Sequence, residues 1–429
     1  MRLKNYWLWF ILVGLISTGA LAQKTALVCK RLIDGTGKVF QNAAIVMEAD
    51  RIIAVGGRDI IPREATVTDL GDYTVLPGLI DAHVHPFIDK DDYQVDHLRR
   101  SSAQKALEGL KHMQDLLLAG WTALRIAGDA DVGYAQFDIR NAINKGLFVG
   151  PHIFGAGHYI SVTGGGGDIN FLSYEQPIIA DGLVANGPDE MQKAVREEIK
   201  HGSDWIKILV TGAFMTVGDN PQDVHFSSEE LKAVMDEANR RHKPVMAHAH
   251  ATEGIKMAVK AGVRSIEHAS YLDEEGIDLM LQHGTYLVPT LAVGLFFQER
   301  YLNSKALAKA IQLGKHDKDE NSKSQMLSLA IRKGVKVALG TDNIGFPPAF
   351  PAREFAELVK LGMTPMQAIQ AGTKVNAEML GKEIDLGTLE AGKLADLIAV
   401  KGDPLTDITE LQRVKFVMIG GKVIKHEKQ

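Results

Sequence analysis

Six side chains of kinds that suit metal or acid–base chemistry stand in or at the ends of short apolar runs. They are His83 and His85 in "LIDAHVHP", Lys207 in "DWIKILVTG", His248 in "VMAHAH", His268 in "SIEHAS" and Asp342 in "ALGTD". Imidazole and carboxylate are the ligands of zinc and similar divalent ions. His83 and His85 are two residues apart, so on a strand both rings point to one side. Lys207 is the odd member, because a lysine is rarely buried unless something pairs with it or neutralises it. Taken singly, each has a structural alternative. A strand-end histidine can be a satisfied core residue, Asp342 can cap the helix that follows it, and Lys207 can form a salt bridge, for example with Asp342. The chemistry lies in the combination.

These residues need a scaffold that brings strand ends together. Eight strand-like runs alternate with helical stretches: 74–85, 120–128, 150–157, 204–212, 243–250, 263–270, 285–290 and 335–342. Between them lie amphipathic helices. One, at 227–242, has Ser227 and Glu230 at capping-box spacing, and another, at 252–262, stops at Gly262. Alternating strands and helices predict a parallel sheet, and eight units predict an α/β fold of the (β/α)₈ TIM-barrel type. In that fold the site lies at the C-terminal strand ends. His83 and His85 would end the first strand, and Lys207 would lie in the fourth. His248 and then His250 would follow on the fifth, His268 on the sixth and Asp342 on the eighth. Both chain ends read as β, so residues 24–76 plus 385–429 are expected to form a small β-sandwich domain, with the barrel over 77–384.

The first 22 residues read differently. Arg2 and Lys4 precede an apolar run over 6–16, and Ala20-Leu21-Ala22 follows at A-x-A spacing. This predicts a signal peptide over 1–22 and a secreted, periplasmic protein. The run is shorter than the ~20 residues an uncleaved span would need. No later run is long enough to cross a membrane, so no membrane partner is expected after cleavage. Cys29 is the only cysteine, which excludes an intrachain disulfide. The net charge of -5 over 429 residues comes without a basic cluster, so no nucleic-acid partner is expected.

The chain resembles the metal-dependent amidohydrolase superfamily in "PGLIDAHVHP", "DWIKILVTG", "MAHAHATEG", "SIEHAS", "LGTD" and "GTLEAGKLADLIAVKGDP", which fall in order along almost the whole mature sequence. Within it, the chain is most similar to the imidazolonepropionase-related branch, which includes Xaa-Pro dipeptidases, carboxypeptidase-like enzymes and ochratoxin-type amidases. The resemblance implies two divalent metal ions, zinc by preference. His83, His85 and Asp342 would hold one, and His248 and His268 the other. Lys207, carboxylated by CO₂, would bridge them. An ammonium between two dications would be repelled, whereas a carbamate is an anion with two oxygens. Asp342 would be the general base. The implied reaction is cleavage of an amide C–N bond in a dipeptide or N-acyl amino acid, including Xaa-Pro and aromatic ochratoxin-type substrates. The alternative is hydrolysis of a cyclic amide, as in imidazolonepropionase. A barrel kept only for binding would be expected to have lost ligands, and all six positions are intact. The substrate would be a small-molecule amide or dipeptide, and homo-oligomers are common among such proteins.

The substrate side is less marked. His158 and Tyr159 are expected at the mouth after the third strand, beside the glycine run 164–167. Relatives often carry a histidine where this chain has Gly166. His250 follows His248 on the same strand face. Phe214 and Met215 replace a more usual glycine-rich stretch, and they predict an apolar wall facing the substrate.

Overall fold

The computed structural model describes residues 23–88, 92–301 and 320–427. The predicted signal peptide lies outside the described residues. The chain opens with β1 (Lys24–Ile33), β2 (Val39–Glu48), β3 (Arg51–Gly57), β4 (Thr66–Asp69) and β5 (Thr74–Pro77). There follow β6 (Leu79–Val84), β7 (Trp121–Ala127), β8 (His152–Ala156), β9 (Tyr159–Ser161), β10 (Leu183–Val184), β11 (Ile206–Leu209), β12 (Val245–Ala249), β13 (Ser265–His268) and β14 (Tyr286–Val288). The last strands are β15 (Leu397–Val400), β16 (Phe416–Ile419) and β17 (Lys422–His426).

The two chain ends were expected to form a sandwich. In the structure they join in one eight-stranded sheet, ordered β17-β16-β15-β5-β1-β2-β3, with β4 also on β1. One long strand makes this possible. The same edge of β1 pairs with β4 over residues 25–28 and with β5 over 31–32. The ends meet where Leu76 of β5 lies opposite Ile398 of β15. Alternate residues serve opposite faces. Val75, Leu397, Ala399, Phe416 and Met418 join a core built only from the terminal segments. Leu76, Ile398, Val400 and Val417 belong to the large core of the central α/β region. Each of the larger side chains among them, fully buried, is worth about 1.5–3 kcal/mol of apolar transfer.

The run 74–85, read as one strand, is two. Gly78 separates them, its N–H bonded to Asp396 O at 3.0 Å. A Cβ there would fall 2.1 Å from Thr122 Oγ1, so only glycine lets the backbone pass this close. Before it β5 belongs to the terminal sheet, and after it β6 starts the parallel strands.

Those strands form two sheets: β6-β7-β8, and β10-β9-β11-β12-β13-β14. All their pairings are parallel. The expected eighth strand, 335–342, is not continuous. It makes isolated parallel bridges, Val337 to Leu287 and Asn343 to Val84. Its backbone still bonds to both neighbours: Ala338 N to Leu287 O at 2.9 Å, Ala82 N to Leu339 O at 3.0 Å and Asp342 N to His83 O at 2.8 Å. The reason is local. Gly340 is pressed between β14 and β6, and Asp342 has φ +54°, which ends extended geometry. At the other seam Asp204 N and Trp205 N both donate to Gly155 O of β8.

Helices cover the outside of these strands. Ser228–Arg240 starts with the predicted capping box: Glu230 N donates to Ser227 Oγ at 3.2 Å, and Ser227 N to Glu230 Oε2 at 2.8 Å. Thr252–Ala261 ends at Gly262 in the left-handed region. Among the described residues no helix is long and apolar enough to cross a membrane.

Candidate metal centre

Parallel strands align their C-terminal ends, and the ends of β6 and β13, together with Asp342, meet at one point. His83 Nε2 and His85 Nε2 are 3.2 Å apart, His85 Nε2 and Asp342 Oδ1 are 3.2 Å apart, and His83 Nε2 and Asp342 Oδ1 are 3.6 Å apart. Donors about 2.0–2.1 Å from a tetrahedral zinc stand roughly 3.3–3.4 Å from one another. The triangle fits a single divalent ion. His268 joins the same cluster, with ligand atoms of His83, His268 and Asp342 within 4.8 Å of one another. Each ring is held from behind: His83 Nδ1 by Glu267 at 2.6 Å, His85 Nδ1 by Gly128 O at 2.6 Å and His268 Nδ1 by Thr290 Oγ1 at 2.7 Å. For His83 and His85 these outer contacts fix the tautomer and leave Nε2 toward the centre.

Electrostatics favour the metal-binding forms. Burial, then the Lys207 charge, lowers the His83 pKa to about 4, and burial lowers His248 to about 3. Both rings are therefore neutral at pH 7, as ligation requires. Burial pushes the Asp342 carboxyl up, but a hydrogen bond with His85 and the charges of His83, His85 and Lys207 outweigh it. The group stays well below the usual carboxylate range.

Lys207 is 1% exposed, in β11 between Tyr159 and Met246 of the adjoining strands. It forms no hydrogen bond or ion pair among the described residues, so the salt bridge considered from sequence is not made. Burial lowers its pKa to about 8. A neutral amine fraction therefore exists near neutral pH, the form that reacts with CO₂. The His248 ring lies 4.6 Å from that of His268, and its Nε2 is 3.1 Å from Gly212 O.

Three buried charges went unnoticed in the sequence reading. Arg125 of β7 grips both oxygens of Glu267 at 2.9 Å, donates to Ser265 Oγ at 3.0 Å and lies over the Trp205 ring. Burial pushes Glu267 up, but Arg125 and His83 bring it down to about 2. Asp81 accepts from Thr341 N at 3.0 Å and Thr341 Oγ1 at 2.6 Å, tying the segment that carries Asp342 to β6. The signal that singled out Lys207, a charge inside an apolar strand, was present at all three.

The expected substrate contacts divide. His250 stacks on His268 with centroids 5.0 Å apart, and Phe214 meets it edge-on at 4.6 Å. Met215 packs against an aromatic cluster that includes Tyr93, Phe296 and Phe346. Tyr159 lies 6.4 Å from the His85 ring, with its hydroxyl bonded to Asp181. His158 is placed elsewhere. It pairs with Glu198, on the outer helix Gly187–His201, at 2.9 Å and packs against Tyr134. The glycine run is an ordered turn, in which Gly164 N donates to Asp168 Oδ2 at 2.8 Å.

Comparison with known proteins finds likenesses over almost the whole chain. The model of the amidohydrolase family matches residues 74–424. The ochratoxinase of Aspergillus niger is 34% identical over 429 residues, covering 94% of this chain and 87% of that protein. The imidazolonepropionase of Paracoccus denitrificans is 25% identical over 386 residues, covering 84% and 88%. Among solved structures, a Xaa-Pro dipeptidase with bound methionine in the active site superposes with a TM-score of 0.85 at 37% identity, covering 94% of this chain and 100% of that one. These likenesses give the chain a TIM-barrel-type α/β fold.

Proposed function

The chain belongs to the amidohydrolase family, and on that premise we propose that it is a secreted, binuclear-metal enzyme acting on dipeptides or N-acyl amino acids. As a member of that family it is a hydrolase of amide bonds. The carrying observation is the donor triangle of His83, His85 and Asp342 with a buried Lys207 that has no ion-pair partner among the described residues.

In this reading His83, His85 and Asp342 would hold one divalent ion, zinc by preference. His248, His268 and a carbamate on Lys207 would complete the second. When bound, the ions supply a Lewis acid for the scissile carbonyl and lower the pKa of the attacking water. Asp342 is ionised near neutral pH and takes the proton from that water. The C–O bond forms in that step, and the same carboxyl then gives the proton to the leaving nitrogen as the C–N bond breaks. Glu267 and Gly128 O keep the two histidines aimed. Phe214 and Met215 would form an apolar wall beside His250, which suits an aromatic or proline-bearing substrate. The names of two relatives, a Xaa-Pro dipeptidase and an ochratoxinase, point the same way.

The domain reading is 24–76 plus 385–429 for the terminal unit and 77–384 for a closed eight-stranded barrel. The separate terminal core and the hydrogen bonds of 336–343 to both neighbours support it. Residues 1–22 would direct export to the periplasm, and the mature protein would assemble as a homo-oligomer. The deciding experiment strips metal with a chelator, reloads zinc and assays Xaa-Pro dipeptides, N-acyl-phenylalanine and a cyclic amide. Hydrolysis of the first two that is lost on chelation and restored by zinc is expected. Turnover of the cyclic amide alone would replace this reading with the imidazolonepropionase one. Activity that survives full chelation would end both.

A further inference from the structure

The loop that carries Phe214 and Met215 is closed on itself. Its ends pair as antiparallel backbone: His225 N donates to Val210 O at 2.8 Å, Gly212 N to Asp223 O at 3.1 Å, and Thr211 bridges Val224. Inside stands Asp219, 7% exposed. Its Oδ2 accepts Ala213 N–H at 2.7 Å. Its Oδ1 accepts Asn220 N–H at 2.8 Å and lies 3.0 Å from His225 Nε2. Ala213 directly precedes Phe214, whose ring meets His250. The backbone has no slack here, since a Cβ on Gly212 would fall 1.9 Å from Asn220 O and 2.5 Å from Asp219 Oδ1.

The glycine run rests on the same point. A Cβ at Gly166 would lie 3.2 Å from the Ala213 Cβ, and one at Gly165 would lie 2.8 Å from both His225 Nδ1 and Ser161 Oγ. Among the described residues those two buried atoms have no hydrogen-bond partner. One carboxylate thus holds the base of the Phe214 wall, and its histidine partner abuts the neighbouring loop.

We infer that Asp219 is the positioning residue of the substrate wall: by holding Ala213 and His225 it fixes Phe214 against His250 and so sets preference for an apolar substrate group. The clamp stands on geometry alone, while its effect on preference rests on the function proposed above. Only a carboxylate offers acceptors on both sides. An asparagine would turn an NH₂ toward one of the two backbone donors, Ala213 N–H or Asn220 N–H. A wall no longer pre-ordered has to be ordered on binding, which weakens substrate affinity.

The test compares wild-type protein with Asp219→Asn and with His225→Gln, a milder variant that removes one partner of the carboxylate. Amide exchange reads the clamp without any substrate. Exchange at Ala213 should rise roughly tenfold or more in Asp219→Asn. With zinc-loaded enzyme, KM for N-acyl-phenylalanine should rise roughly tenfold, while metal content is unchanged and KM for N-acyl-glycine moves far less. His225→Gln should give the same pattern at smaller size. Unchanged Ala213 exchange overturns the clamp. Faster exchange with an unchanged KM ratio overturns the role in preference. A wild-type enzyme inactive on both substrates overturns the proposed function and the role in preference with it, while the exchange data still decide the clamp.

Discussion

His83 Nδ1 and Glu267 Oε2 stand 2.6 Å apart, and neither residue has any exposed surface. Arg125 holds both oxygens of that carboxylate, so a buried cation, a buried anion and a candidate ligand are joined in one chain of contacts. Glu267→Gln should lower metal affinity by roughly 10–100-fold, because the ring loses its anionic partner. It should also destabilise the fold by about 3–5 kcal/mol, because Arg125 is left buried without its counter-charge. Chelator competition and denaturant melts measure the two effects separately. Unchanged metal affinity would remove Glu267 from the site.

Lys207→Ala should abolish the bridging anion. Metal content should fall below that of the wild type, and kcat should fall by roughly a thousandfold or more. A short carboxylic acid should restore part of both by entering the space the side chain leaves. Full metal content and activity in the plain variant would refute the carbamate.

Stability should depend on pH through His158 and Glu198. Burial works against both charges, but the hydrogen bond and charge between them win, so His158 titrates above 6.5 and Glu198 below 4.5. The histidine contribution is complete below 6.5 and is lost as pH rises through its folded value. The glutamate contribution is complete above 4.5 and is lost as pH falls through its folded value. Both act together between about pH 4.5 and 6.5. Melting temperature against pH should fall more steeply on either side of that window in the wild type than in His158→Gln. Parallel curves would refute the coupling.

Gly340→Ala should damage the site without touching a ligand. The added Cβ would meet Val288 Cγ1 at 2.5 Å and His83 Cβ at 2.7 Å. Overpacking of this kind costs about 1–3 kcal/mol. The push on His83 should weaken metal binding as well. A variant with wild-type stability and metal affinity would show that the gap between β14 and β6 can open freely.

Much of this was legible in the residues. His83 and His85 alternate with apolar neighbours, so strand geometry put their rings on one side before any coordinates. Ser227 and Glu230 announced a helix start that the structure contains. Other features were hidden because their cause is not local. The division of 74–85 at Gly78 follows from Thr122, 44 positions away in sequence. His158 looked like a residue of the mouth because it precedes Tyr159, but it lies in the bend between β8 and β9, where Glu198 of the outer helix holds its ring.

The sequence by itself determined which residue types stand at strand ends, and periodicity decided the side each one faces. From that came the donor set and the anomaly of Lys207. Only the tertiary structure decided which donors converge. Convergence depends on strands far apart in the chain being brought side by side, on Arg125 and Glu267 meeting across β7 and β13, and on Asp219 closing a loop around Phe214. Local preferences act over a few residues, whereas these contacts form only once the packed core has fixed the distances between elements.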